Sequence, residues 1–480
     1  MPSVQGFYLT LASPQFFVLV MACLTLLVSL FTRKKYSLWT YGLSQVTLLG
    51  AIALTVHWYD MPSALLFHGQ MVSDKVSGIL TIFICVMTFL VLLYSQDYLK
   101  QHKMPQGDYH ALTLFSTLGM MVLVSSYSLI SLYVGLELFT LPLYALIALR
   151  QDHPMFSEAA MKYFVMGALA SGILLYGFSM IYGVTQSVEL ASIETAVSHL
   201  SDSQNYVVIY GLIFILAGVA FKLGAVPFHM WVPDVYEGSP NTVTLMIATG
   251  PKIAAFGLVA RLLVEALPDT HMAWQHGLIL IAVLSIALGN IVAIVQSNIK
   301  RMLAYSSIAH MGYMLLGLIA GTTNGYSAAM FYILVYSIMS LAAFGLVSML
   351  SRDGIDIQNI SDLKGLNARN PWLAFMMLVV MFSMAGVPPL AGFMAKIAVL
   401  EAVISVGQVW LAVFALLFAI VGAYYYLRVV KVMYFDEPHK NTNIELPALD
   451  MRIAMTVNGL SVLVLGIFPA VLMGLCRSAF

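Results

Sequence analysis

The chain has 480 residues, of which 61% are hydrophobic and only 9% are charged, and its formal net charge is zero. A soluble domain needs much more charge on its surface, so this composition excludes an ordinary soluble protein. No basic tract extends beyond Arg33, Lys34 and Lys35, which gives no support to a nucleic-acid partner.

Largely uncharged runs of about 20 residues recur along the whole chain, and each is long enough to cross a hydrocarbon core of about 30 Å. Inside lipid the backbone must satisfy its own hydrogen bonds, so these runs are predicted to be helices. The sequence therefore predicts an all-α polytopic membrane protein with about fourteen transmembrane helices. The predicted spans are 9–32, 37–58, 76–96, 110–126, 128–149, 158–184, 205–230, 240–264, 273–297, 301–320, 325–351, 371–402, 407–434 and 451–476.

Prolines interrupt two of these spans. The seventh contains Phe221–Pro227 and the twelfth contains Met384–Gly392. Because proline has no N–H, it frees the carbonyls of Leu223, Met384 and Ala385. Free carbonyls at membrane depth are tolerated only where protein or cavity water satisfies them. We therefore predict that helices 7 and 12 are discontinuous, as in transporters with internal repeats.

Spans 4–8 and 9–13 form two sets of five helices. Five is an odd number, so a second copy of the first set would lie inverted in the membrane, and we predict two inverted five-helix repeats. The predicted division is a three-helix segment at 1–108, a first repeat at 109–266, a second repeat at 267–435, and a loop with the last helix at 436–480.

The basic residues predict the orientation of the chain. If the N-terminus lies outside, the inner side holds most of the 22 Lys and Arg residues, and the outer side holds only Lys75, Arg261 and Arg477. Cytoplasmic loops of membrane proteins carry such an excess of Lys and Arg. We therefore expect the N-terminus on the outer side.

A few charged residues fall deep within the predicted spans: Glu137, Lys222, Lys252 and Lys396. Each costs about 2.5–3.5 kcal/mol to bury at the bilayer centre and so faces the protein interior. Static ion pairs and snorkelling to an interface are the structural alternatives. All three lysines lie beside prolines, which favours a proton pathway. Lys162 follows Glu158 by four residues, so a local pair or snorkelling explains it nearly as well.

Two histidines are weaker candidates. His310 shares a polar stripe with Tyr305, Ser306 and Ser307, and this stripe could carry water. His229 lies near the inner end of the seventh span, where it is either a proton relay or a plain interfacial residue. The sequence has no phosphate-binding loop, metal-ligand spacing or Cys-x-x-Cys motif, so we expect no metal, no bound cofactor and no redox site in this chain.

The segment Phe221–Pro240 resembles the signature of the antiporter-like membrane subunits. These occur in the proton-pumping NADH:quinone oxidoreductase (respiratory complex I), in membrane-bound hydrogenases and in multisubunit sodium/proton antiporters. Within this family the chain is most similar to the N-type subunits of complex I, because it carries Lys396 and ends after the fourteenth span. Further similar stretches are Gly135–Leu138, Gly250–Ile253, Asn298–Tyr313 and Ala385–Lys396.

This resemblance implies a membrane-arm subunit that translocates protons, driven by redox chemistry in other subunits. It implies that Glu137 and Lys222 pair near the inner side, that Lys252 is the central relay, and that Lys396 carries protons toward the outer face through His310. NADH, FMN, iron–sulfur clusters and quinone would bind elsewhere in the complex. The implied partners are lipids and subunits M, K and L, the last through a lateral helix, in the bacterial inner membrane with a periplasmic N-terminus.

Two alternatives remain at this point. The same residues fit a subunit of a multisubunit sodium/proton antiporter. They also fit a scaffold whose ion pairs only hold helices together.

Overall fold

The structure is a computed structural model that describes residues 10–32, 38–150, 154–351, 356–438 and 448–480. Within these ranges the chain is almost entirely helical, which confirms the all-α membrane fold. The sheet described is one antiparallel pair, β1 (Ala64–Leu66) and β2 (Met71–Ser73), in which Leu65 lies opposite Val72.

The helices before and after this hairpin are named in chain order. In the first half they are α1 (Ser13–Thr32), α2 (Leu38–Trp58), α3 (Lys75–Gln101), α4 (Gln106–Val124), α5 (Leu129–Ile147), α6 (Pro154–Thr185), α7 (Leu190–Val197), α8 (Asp202–Leu223), α9 (Trp231–Glu237), α10 (Asn241–Ile247) and α11 (Gly250–Val259). A π-helical turn, Ala260–Glu265, continues α11.

The second half begins after a short 3-10 turn at Pro268–Thr270. Its helices are α12 (His271–Val295), α13 (Ile299–Ile319), α14 (Thr323–Leu350), α15 (Leu366–Arg369), α16 (Pro371–Ala385), α17 (Ala391–Ser405), α18 (Val409–Phe435), α19 (Leu449–Ile467) and α20 (Pro469–Ala479). A second 3-10 turn, Ile360–Leu363, precedes α15.

Twelve helices within the described ranges are long and apolar enough to cross a membrane. The fourth predicted span corresponds to α4, which has 19 residues but carries His110, Thr113 and Ser116 among its buried side chains. The twelfth predicted span is divided between α16 and α17, of 15 residues each. The count of fourteen, the inverted repeats and the four-part division of the chain stay predictions.

Both predicted interruptions are confirmed. Helix α8 ends at Leu223, and Gly224 follows it with a φ of 70°. Helix α16 ends at Ala385, and Gly386 follows it with a φ of 90°. A side chain at either position would strain this left-handed backbone, so glycine ends each helix. The chain turns helical again at Trp231 and at Ala391.

The centre of the molecule is formed by α10, α11, α13 and α14, in which nearly every residue is buried. The outer helices α1, α2, α18 and α19 instead expose many large apolar side chains. In a membrane protein such side chains face lipid or neighbouring subunits. The interrupted helices thus border the buried centre.

The two ends of the helix bundle differ in charge. We call one end the basic face, where α3 and α5 end and α6 and α13 begin; it carries Lys100, Arg150, Lys162 and Arg301. We call the opposite end the acidic face; it carries Glu189, Glu194 and Asp269.

Candidate functional site

Two of the predicted lysines bind the carbonyls freed at the two helix interruptions. Lys252 of α11 is 1% exposed and its Nζ donates to the Leu223 carbonyl at 2.7 Å. Lys396 of α17 is also buried, and its Nζ donates to the carbonyls of Met384 at 3.1 Å and Ala385 at 2.8 Å. Each ammonium group therefore occupies the C-terminal end of an interrupted helix.

This arrangement holds a positive charge without a carboxylate. A helix C-terminus carries about half a negative elementary charge, which stabilises a nearby cation. Among the described residues, neither Lys252 nor Lys396 has a carboxylate oxygen within 4.0 Å. Partial charges bind an ammonium more weakly than a full carboxylate does, so both lysines can gain and release a proton in place.

Lys222 and Glu137 lie near each other without direct contact. Lys222 is buried in the last turn of α8 and its Nζ donates to Ser171 Oγ at 3.2 Å. Glu137 of α5 is half-buried; its charge acts on Lys222, but no ion pair forms within 4.0 Å. Its Oε2 lies 3.5 Å from Thr140 Oγ1, and its buried Oε1 has no hydrogen-bond partner among the described residues. A buried carboxylate oxygen ordinarily has a hydrogen-bond partner, so Glu137 is not fixed in place by its described neighbours.

His310 lies at the centre of a buried cluster of hydroxyl groups. Its Nδ1 is 2.7 Å from the Tyr332 hydroxyl and its Nε2 is 3.2 Å from the Tyr426 hydroxyl. Tyr426 also shares a hydrogen bond with Ser306. One turn later on α13, the Tyr313 ring lies 5.3 Å from Lys396 Nζ. The predicted polar stripe therefore extends from His310 to Lys396.

Aromatic and hydroxyl side chains lie between Lys252 and this cluster. Lys252 Nζ is 5.3 Å from the centre of the Trp231 ring, and the rings of Trp231 and Tyr236 are 6.4 Å apart. The Tyr236 hydroxyl and Ser307 Oγ are buried side by side, and neither makes a well-formed hydrogen bond to a described residue. A water molecule at this position would complete the row from Trp231 to His310.

Sequence reasoning missed the tyrosines of this row, because they are spread over three helices. Tyr236 lies on α9, Tyr332 on α14 and Tyr426 on α18. Aromatic residues in transmembrane helices usually serve as packing or as interfacial anchors. The hydroxyl groups of these three lie beside His310, Ser306 or Ser307, and these contacts exist only in the folded chain.

The two weaker candidates lie outside the row. His229 is half-buried between the exposed side chains of Phe228 and Met230, on the flank of the bundle. Lys162 is 41% exposed on the basic face and pairs with Glu158 at 2.9 Å, as the four-residue spacing predicts. It also pairs with Asp234 at 3.0 Å, a contact that the sequence did not indicate.

Asp234 connects three elements of the basic face. Its second oxygen lies 2.9 Å from Arg301, which also pairs with Glu237 at 2.9 Å. Burial raises the pKa of Asp234, but the hydrogen bonds and charges of Lys162 and Arg301 outweigh this effect and hold the pKa below its usual value. Asp234 thus stays ionised and ties α9 to α6 and α13.

Arg261 is buried at the acidic face. The sequence counted it among the three basic residues of the outer side, and in the structure it is 1% exposed in the π-helical turn after α11. It donates to both oxygens of Asp74 at 2.8 Å, to Glu265 and to the Val124 carbonyl. Burial raises the pKa of Asp74, and Arg261 more than offsets this and lowers it. The buried pair holds the acidic face together.

Metal binding finds no support in the described ranges, where no three His, Cys, Asp or Glu side chains come together as a metal site would require. The expectation that this chain binds no cofactor stays a prediction.

The sequence is similar to known membrane proteins over its whole length. Residues 126–422 match the family model described as NADH:quinone oxidoreductase/Mrp antiporter, TM. The chain is 53% identical over 475 residues to NADH-quinone oxidoreductase subunit N of Coxiella burnetii, covering 98% of both chains. It is 50% identical over 466 residues to the subunit of the same name from Thioalkalivibrio sulfidiphilus, covering 97% of both.

Solved structures agree with these relatives. A chain of respiratory complex I from Thermus thermophilus with bound aureothin matches with a TM-score of 0.83 and 32% identity, over 97% of this chain and 99% of that one. A chain of the Mrp complex from Dietzia sp. matches with a TM-score of 0.82 over 100% and 97% of the two chains, but at 20% identity it shows the fold alone. The chain therefore belongs to the NADH:quinone oxidoreductase/Mrp antiporter family of membrane proteins, within its group of NADH-quinone oxidoreductase N subunits.

Proposed function

We propose that this chain translocates protons as a membrane-arm subunit of NADH-quinone oxidoreductase, through Glu137, Lys222, Lys252, His310 and Lys396. One observation carries the assignment of these residues. Lys252 and Lys396 are buried in the middle of the protein and are held by freed backbone carbonyls at two helix interruptions. Buried ionisable groups in membrane proteins face cavities or partners and commonly mark ion pathways.

The contacts support the following order of transfer. A change of charge at Glu137 alters the electrostatic potential at Lys222, because among the described residues no other carboxylate lies closer to Lys222. A proton released there moves to Lys252 and then, through water beside Tyr236 and Ser307, to His310 and Lys396. Each acceptor that gains a positive charge repels the next proton, which gives the sequence its direction.

The energy for this transfer comes from redox chemistry in the rest of the complex. We assign NADH, FMN, the iron–sulfur clusters and quinone to other subunits. Subunits M and K are the proposed neighbours, together with the lateral helix of subunit L, and the exposed apolar sides of α1, α2, α18 and α19 offer surfaces for them and for lipid. The excess of Lys and Arg supports a bacterial inner-membrane orientation with the basic face inside and the N-terminus in the periplasm.

The first experiment is native mass spectrometry of the complex purified in mild detergent through a tag on this chain. Flavin and iron–sulfur subunits with NADH:quinone activity support the proposal. Small hydrophobic partners without redox subunits, together with sodium/proton exchange that does not depend on NADH, would point instead to a multisubunit antiporter.

Lys222→Ala is expected to slow NADH-driven proton transport by about 10²-fold, the usual contribution of a positioned proton-transfer group. The complex should still assemble, because Lys222 makes only one hydrogen bond, to Ser171, among the described contacts. Proton transport is measured by dye quenching in inverted vesicles, normalised to the amount of assembled complex. Ser171→Ala serves as the matched control, since it removes that bond and keeps the ammonium. Unchanged transport in Lys222→Ala would exclude the relay.

His229→Ala is expected to leave proton transport within about twofold of the parent, because its side chain lies on the flank between the exposed side chains of Phe228 and Met230 and makes no described contact with the relay residues. The same vesicle assay checks this result. A loss as large as that of Lys222→Ala would place His229 in the pathway and contradict the geometry.

A further inference from the structure

A fourth lysine shares the unusual environment of Lys252 and Lys396. Lys300, in the first turn of α13, is 3% exposed, and its Nζ donates to the Ser239 carbonyl at 2.8 Å, just beyond the end of α9. Like the other two, it binds a backbone carbonyl where a helix segment ends. Among the described residues no carboxylate lies within 4.0 Å of it.

The carboxylates nearest to Lys300 accept hydrogen bonds from other residues. Glu237 accepts from Arg301 and from Asn298. Asp356 accepts from the hydroxyl of Tyr98 at 3.2 Å and from the amide of Asn241 at 3.3 Å, and it lies 3.5 Å from His102. The charges of both carboxylates act on Lys300 from a distance, so they stabilise its ammonium without fixing it in a salt bridge.

Lys300 also has access to water. It lines a cavity of about 170 Å³ on the basic face, together with Arg150, Met155, Glu237 and Asp356. The space is large enough for several water molecules, each of which occupies about 30 Å³ in the liquid. The charged groups that face Lys300 across this space come from every side: Arg150 after α5, Glu237 on α9, and Asp356 after α14.

Helix α13 leads from this cavity to the hydroxyl cluster. Ser307 follows Lys300 by seven residues, which is about two turns and places both on one side of the helix. His310 follows one turn later, and Tyr236, beside Ser307, lies on the helix segment that Lys300 caps. Lys300 and the groups that lead to Lys396 thus lie along one side of α13.

We infer that Lys300 is a proton-uptake residue that supplies the His310–Lys396 half of the chain from the basic face, in the same transport cycle as Lys222, so that blocking either lysine stops the cycle. A hydronium ion that enters the cavity from solvent gives a proton to the neutral Nζ and leaves water. The resulting ammonium passes one proton to water beside Tyr236 and Ser307 and becomes neutral again. No bond other than N–H and O–H is made or broken. This inference rests on the proposed function, because it adds a second required uptake step to the same pathway.

The deciding variant is Lys300→Arg in the complete complex. Arginine keeps the positive charge and can still donate to the Ser239 carbonyl, but it does not release its proton in proteins. We expect proton transport to fall at least about tenfold per assembled complex. Lys103→Arg, at an exposed position on the same face, is the matched control and should transport normally. Normal transport in Lys300→Arg would show that the ammonium only caps α9, and would overturn the inference.

A second variant applies if Lys300→Arg does not assemble. Met155→Trp fills the cavity while Lys300 stays in place, and Met155→Leu is its volume-conserving control. Slower transport in the tryptophan variant alone supports uptake through the cavity, and normal transport overturns it. Lys252→Arg separates the two proposals. If it stops transport while Lys300→Arg transports normally, only the uptake inference fails, whereas normal transport in both removes the relay itself.

Discussion

Replacing Lys252 with methionine is expected to stop NADH-driven proton transport, with a loss of about 10²-fold or more. Lys252 is the fully buried cation that caps α8 through the Leu223 carbonyl and faces the Trp231 ring. Methionine is of similar length but carries no proton, so the row of groups toward His310 loses its link to Lys222. The measurement is dye quenching in inverted vesicles, together with the rate of NADH oxidation.

Lys252→Arg is the informative companion. It keeps a cation beside Leu223 but holds its proton, so transport should be lost there as well. Both variants are compared at equal amounts of assembled complex, which separates a transport defect from a folding defect. Full transport by Lys252→Arg would mean that a fixed positive charge is sufficient, and the lysine would then be a structural cap.

Arg261→Met is expected to lower stability by about 3–5 kcal/mol, because removing one partner of a buried ion pair leaves its carboxylates without compensation. Two carboxylates, those of Asp74 and Glu265, and the Val124 carbonyl would lose their donor. The observable is the yield of assembled complex in membranes and the temperature at which it dissociates. Proton transport by the complex that does assemble should be near normal.

The triple variant Asp74→Asn, Arg261→Met, Glu265→Gln is the matched control. It removes the two carboxylate charges that Arg261→Met leaves without a partner, so we expect it to recover part of the lost yield of assembled complex. If Arg261→Met assembled as well as the parent, the buried pair would not be holding the acidic face together. A transport defect at normal yield would place Arg261 in the proton pathway.

These two predictions separate two kinds of buried cation. Arg261 meets full carboxylates in a bidentate arrangement, which is the static ion pair that the sequence left open as an alternative. Lys252, Lys300 and Lys396 meet only backbone carbonyls at the ends of helix segments. A permanently charged side chain suits the first environment, and one that exchanges its proton suits the second.

The sequence by itself determined the membrane fold, the approximate spans, the two helix interruptions and the burial of Lys222, Lys252 and Lys396, but not that of Lys300 and Arg261. These follow from local properties. Hydrophobic length specifies a transmembrane helix, and proline ends a helix wherever it occurs. The carbonyls that Pro227, Pro388 and Pro389 free were predicted in this way, and Lys252 and Lys396 bind them.

Only the tertiary structure decided which group meets which. The sequence placed the Leu223 carbonyl beside Lys222, whereas Lys252, 29 residues later, binds it. Arg261 reaches Asp74 across 187 residues, and Lys300 reaches Ser239 across 61. Contacts of this kind depend on how the helices pack. The sequence of one helix does not specify which side chains a neighbouring helix places against it. Water access, charge pairing and the choice between a fixed cation and a proton carrier all arise at that level.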